Sequence, residues 1–136
     1  MKKLVYLIVV TLFFSACTPE DLPKQHFEIL PVEYYTIPES FVFQNTYEIK
    51  LFYKRPNDCH ALGGIYFDRY FNMRTVAIQS IVYDRNDCVE SQGEIYETSF
   101  QFFVSNLETY TFRFYKGTDD EGNPIYDYID IPVTNN

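Results

Sequence analysis

The side chains able to do acid–base, nucleophilic or soft-metal chemistry are few: His26 and His60, and the cysteines Cys17, Cys59 and Cys88. A Ser-His-Asp or Cys-His site needs one of the histidines as its base. His26 falls in a segment that reads as a tether, a poor support for a preorganised site. His60 follows Cys59 directly, and neighbours on an extended chain project to opposite faces, so the two do not read as a catalytic pair. Cys59, His60 and Cys88 offer three zinc ligands without C-x-x-C or H-x-x-x-H spacing. Asp119, Asp120, Glu121 and Asn123 crowd one turn around Gly117 and Gly122. Their spacing departs from the twelve-residue calcium loop, and they read as a solvated hairpin turn. Glu94 and Glu97 could serve as a glycosidase pair, but they project to opposite faces of an expected strand. No catalytic residue, metal or cofactor is assigned, and an enzyme is not expected.

The aromatic residues carry more information. The chain has 13 Tyr and 13 Phe and no Trp. Tyr34, Tyr35, Tyr66, Tyr70, Phe71, Tyr115, Tyr126 and Tyr128 exceed what one small core needs. Tyrosine surfaces stack on sugars or receive a protein partner. Tyr66, Tyr70, Tyr115, Tyr126 and Tyr128 are the candidate binding aromatics. The absence of Trp counts against glycans. The competing reading is that these rings only cover the outer sheet and the sheet ends. Clustering on one face would favour binding, and scatter would favour a structural role.

The compartment follows from the N-terminus. Met1-Lys2-Lys3 is basic, Leu4 to Phe14 is apolar apart from Thr11, and Ser15-Ala16-Cys17 closes the run with small residues. That is the layout of a secretory signal, and it is too short to cross a bilayer as a helix, which takes ~20 apolar residues. Phe14-Ser15-Ala16-Cys17 resembles the lipobox of bacterial lipoproteins, with Phe where Leu is usual. The resemblance implies a leader over residues 1–16 and a thioether-linked diacylglycerol plus an amide-linked acyl chain, such as palmitate, on Cys17. An ordinary signal peptide with an incidental cysteine is the alternative. Two or three acyl chains anchor stably, each buried CH₂ contributing ~0.8 kcal/mol. Thr18-Pro19-Glu20-Asp21 is similar to the surface-export signal of Bacteroidota lipoproteins, the alternative being a solvated linker. The expected location is the cell envelope, at the outer membrane, with the lipid bilayer as one partner through Cys17.

Acylation of Cys17 leaves Cys59 and Cys88, and an even pair in an exported chain suggests a disulfide, with two free thiols as the alternative. Removing the leader takes Lys2 and Lys3 with it, so the net charge moves from −8 to −10. Such an acidic chain lacks the basic patches that nucleic acid or anionic lipid headgroups require. Hydrophobic residues at 46% suffice for a core.

Period-two alternation dominates the rest. Residues 17–26 form the lipidated Cys and tether, and residues 27–134 one β domain. Phe27, Ile29 and Val32 suggest a first edge strand. Thr46 to Lys54 alternates most clearly, with Tyr47, Ile49, Leu51 and Tyr53 on one face; Phe52 on the other face implies that this side is partly covered. Further strands are expected over Gly63 to Phe71, Thr75 to Tyr83, Tyr96 to Val104, around Tyr110-Phe112-Phe114, and along Ile125, Asp127, Ile129, Ile131 and Val133. Tyr110, just after a polar turn, is placed to act as a tyrosine corner. About seven short strands in one domain point to an all-β, two-sheet antiparallel sandwich, with a small closed barrel as the runner-up.

Arg55-Pro56, Cys59-His60, the stretch Arg74 to Tyr83, Cys88, Tyr110-Thr111-Phe112-Arg113-Phe114, Gly117 and Ile131-Pro132-Val133 together resemble a group of small Bacteroidota lipoproteins. The resemblance covers roughly Phe27 to Val133 and implies an immunoglobulin-like sandwich with no catalytic residues. The expected function is a non-enzymatic, surface-tethered module that binds or scaffolds another envelope component. The alternative is a glycan- or small-ligand-binding accessory module.

Overall fold

The computed structural model describes residues 24–135, all of whose regular elements are β-strands. The leader, Cys17 and most of the expected tether lie outside the described residues. In chain order the strands are β1 (Gln25–Leu30), β2 (Tyr34–Thr36), β3 (Phe41–Val42), β4 (Thr46–Lys54), β5 (His60–Tyr70), β6 (Met73–Tyr83), β7 (Ile95–Phe103), β8 (Tyr110–Thr118), β9 (Pro124–Ile131) and β10 (Val133–Thr134).

Strand β4 shows why these residues make a sandwich. Ile49, Leu51 and Tyr53 are buried, while Glu48, Lys50 and Phe52 face outward. Phe52 is covered by Tyr34, stacked on it at 4.4 Å. β4 lies between β2 and β7, antiparallel to both, and so centres a three-stranded sheet. Facing it is a five-stranded sheet built around β6. One edge of β6 carries β5 along its whole length. The other edge is shared, with β1 opposite Ile78 to Tyr83 and β8 opposite Met73 to Val76. β9 pairs antiparallel with β8 and closes that side. The inner faces meet in one core, where Ile49, Leu51 and Phe102 from the small sheet pack against Val76, Ile78, Tyr110, Phe112, Phe114 and Ile131 from the large one. Apolar burial of this kind, ~25 cal/mol per Å², is the main term holding two sheets together.

The all-β sandwich is therefore as expected, with local corrections. There are ten strands rather than about seven, because β2, β3 and β10 are only two or three residues long. Two pairings are parallel, β6 with β8 and β3 with β10, rather than all antiparallel. Gln25 and His26 belong to β1 rather than to the tether, since both pair with the end of β6. Phe27 and Ile29 face outward, 63% and 40% exposed, because the inner places at that end are taken by Glu28 and Leu30. Val133 does not continue β9. Pro132 lacks a ladder N–H, and Val133 crosses to pair with Phe41.

Tyr110 forms the expected corner. It is fully buried, and its hydroxyl oxygen accepts hydrogen bonds from the backbone N–H groups of Ser105 at 3.1 Å and Asn106 at 3.2 Å. A phenol that satisfies two loop amides in this way ties the β7–β8 connection to the core.

Candidate functional site

Among the described residues, Cys59, Cys88, His26 and His60 occupy one end of the sandwich and there serve its architecture. Cys59 and Cys88 are joined, with Cα atoms 5.5 Å apart, so neither sulfur is a thiolate nucleophile or ligand. Asn57 organises the neighbourhood. Its Oδ1 accepts from Cys59 N–H at 3.0 Å and from His60 Nδ1 at 2.6 Å. His60 is only 6% exposed, and its Nε2 lies 2.9 Å from Glu28 Oε2. Both ring nitrogens are thereby engaged, Nε2 linking β5 to β1 across β6 and Nδ1 fixing the loop that leads into β5. His26 sits on the far side of Val82 and pairs with Asp84 at 3.0 Å.

The carboxylates of Asp119, Glu94 and Glu97 are likewise committed. Asp119 Oδ1 accepts from the N–H groups of Glu121 and Asn123, and its Oδ2 from the Asn123 side chain at 3.1 Å. Hydrogen bonding from the Asn123 backbone, first among these contacts, holds the Asp119 carboxyl below its usual range. This carboxylate closes the β8–β9 turn. Glu97 pairs with Lys50 at 2.9 Å, whereas Glu94 precedes β7 and accepts from Ser91 at 3.1 Å. The two do not converge on a common point.

The tyrosines do converge. Alternation puts Tyr66 and Tyr70 of β5, Tyr115 of β8, and Tyr126 and Tyr128 of β9 on the outer face of the five-stranded sheet, opposite the core-facing set. Tyr66, Tyr115, Tyr126 and Ile29 form the walls of a trough of about 350 Å³. Its floor is Thr75 and Ala77, short side chains on the central strand β6 that leave a gap between the rings. Tyr115 and Tyr126 are cross-strand partners, their rings edge to face at 5.9 Å, and Tyr126 meets Tyr128 at 6.3 Å in the same way. Arg113 lies over Tyr126 at 4.8 Å from the ring centre, while its Nε donates to Thr75 Oγ1. These contacts hold Tyr126 upright beside the gap rather than letting it fill it.

No known protein family, curated protein or solved structure matches the chain.

Another of the surplus aromatics lies in a turn rather than at the end of the strand expected over Gly63 to Phe71. Phe71 sits at the tip of the β5–β6 hairpin, between the paired residues Tyr70 and Met73. Its φ is 49°, a region that bulky side chains avoid, and it is 84% exposed. Tyr70 beside it is 66% exposed, and the two rings meet edge to face at 4.8 Å. Tyr70 and Phe71 thus present two large rings to solvent at the tip of the hairpin. The sequence signal is an aromatic pair at a place where turns favour Gly, Asn or Asp.

Proposed function

We propose that this protein is a non-enzymatic cell-envelope lipoprotein whose outer tyrosine face receives a protein partner in the envelope. The observation that carries the reading is the gathering of Tyr66, Tyr115 and Tyr126 around a trough floored by Ala77 and Thr75, with Tyr128 beside them on the same sheet face. Tyrosines anchor interfaces well because they offer large area at low conformational cost with a polar tip.

Anchoring through acylated Cys17 gives that face a direction. Eight residues run from Cys17 to Gln25, where β1 begins, so the tether reaches at most about 28 Å. β1 starts at the disulfide end, and Gln25 pairs with Tyr83. The hairpin tip lies at the other end of β5, ten residues beyond His60 and roughly 33 Å away at strand rise. The disulfide end therefore sits near the bilayer, and Tyr70 and Phe71 are carried outward. Burying one such ring on a partner is worth ~1.5–3 kcal/mol.

Chemical crosslinking of intact cells tests the reading. The native protein should give a discrete adduct that the Tyr66→Ser/Tyr126→Ser variant loses. An adduct unchanged by that double substitution contradicts the face as the interface. Adducts with glycan rather than protein would favour the accessory-module alternative.

A further inference from the structure

A second site lies away from the tyrosine face, where the sandwich opens between β5 and β7. Both strands are edges, since β5 pairs only with β6 and β7 only with β4. Between them is a groove of about 440 Å³, the size of a small-ligand pocket. Ile65 and Phe67 of β5 face Phe100 and Phe102 of β7 across it, with Phe67 and Phe100 edge to face at 5.3 Å. The polar end is formed by Arg69, Arg74 and Ser105.

Arg74 sets this groove apart. It is 6% exposed and stands directly across the hairpin from Arg69. Neither arginine forms an ion pair with any carboxylate among the described residues, and no acid lines the groove. This occurs in a chain whose net charge is −8, where acids outnumber bases almost two to one. Arg74 Nη1 donates to the carbonyls of Phe71 and Met73, and the guanidinium lies 4.8 Å from the Tyr110 ring centre. Its Nε is buried without a partner. Buried cations are ordinarily paired, because carbonyls and ring faces offset only part of the lost hydration. Two adjacent cations with an unfilled donor, at the end of an apolar groove, lack an anion.

We propose that this groove binds a small carboxylate ligand with an apolar body, the carboxylate held by Arg69 and Arg74 and the body lying against Ile65, Phe67 and Phe100 along the groove wall. A guanidinium recognises a carboxylate through parallel N–H donors, and an apolar channel strengthens that contact by excluding water. The site is independent of the tyrosine face, so either can fail without the other.

The test titrates the full-length lipoprotein in lipid nanodiscs with 4-phenylbutyrate and with its neutral isostere 4-phenylbutyramide, using empty nanodiscs as blank. The carboxylate should bind saturably and at least about tenfold tighter than the amide, with its affinity falling as salt rises. Arg69→Gln, at an exposed position where folding is preserved, should weaken the carboxylate severalfold and leave the amide unchanged. Equal binding of acid and amide, no saturable binding of the acid at millimolar concentration, or indifference to Arg69→Gln would overturn the proposal.

Discussion

The Tyr35 hydroxyl, on β2 of the small sheet, donates to Asp127 Oδ2, on β9 of the large sheet, at 2.9 Å, and so links the two layers of the sandwich at their rim. Its ring stacks on Phe114 at 3.7 Å. Burial, followed by the hydrogen bond and charge of Asp127, pushes the Tyr35 phenol up to about 12. A folded-state value above the unfolded ~10 means that the neutral phenol stabilises the fold fully below pH ~10. That contribution is lost as pH rises from about 10 towards 12. The melting temperature should fall over this window, and Tyr35→Phe should reduce the fall. Identical alkaline profiles for the two proteins would show that the cross-sheet bond carries no linkage.

Tyr110→Phe removes the acceptor for two loop amides while keeping the ring in the core. Leaving those groups unsatisfied should cost about 1–3 kcal/mol. Urea unfolding should show a lower midpoint with an unchanged slope, and an unchanged midpoint would mean that water replaces the phenol.

Reduction of Cys59–Cys88 releases a link between positions 29 apart in sequence. It should destabilise the domain by roughly 2–5 kcal/mol. Thiol titration of protein from its native compartment, under denaturing and non-reducing conditions, should find neither cysteine free. Two reactive thiols would contradict the bridge.

The lipid anchor rests on the Ala16-Cys17 junction. Mass spectrometry of the mature protein should find Cys17 as a multiply acylated first residue, and Cys17→Ala should leave the protein unacylated and release it from membranes. Cleavage elsewhere, or an unmodified Cys17, would contradict the anchoring and with it the orientation of the hairpin tip.

Much of the fold was legible because its strands are long and alternate. β4 runs from Thr46 to Lys54, and Tyr110, Phe112 and Phe114 are all buried, as their spacing implies. Alternation says which residues share a face but not which face is covered. Phe27 and Ile29 consequently point outward, a choice set by pairing with a strand about fifty residues away. β2, β3 and β10 are too short to show a period, and the parallel β6–β8 pairing depends on long-range packing. The tyrosines of the trough were recognisable as surplus aromatics, but their gap depends on Ala77 lying between them on β6. Nothing in the local sequence of Arg74 reveals that the hairpin turns it beneath Tyr110 and Phe102.

The tyrosine face as an interface is tested most directly by a photo-crosslinking amino acid placed at Tyr128, on the outer face of the large sheet, and separately at Glu48, on the outer face of the small one, in living cells. Position 128 should give a discrete, saturable protein adduct, abolished by Tyr66→Ser/Tyr126→Ser, and position 48 none. Equal labelling from both positions, or an adduct from 48 alone, would contradict the interface.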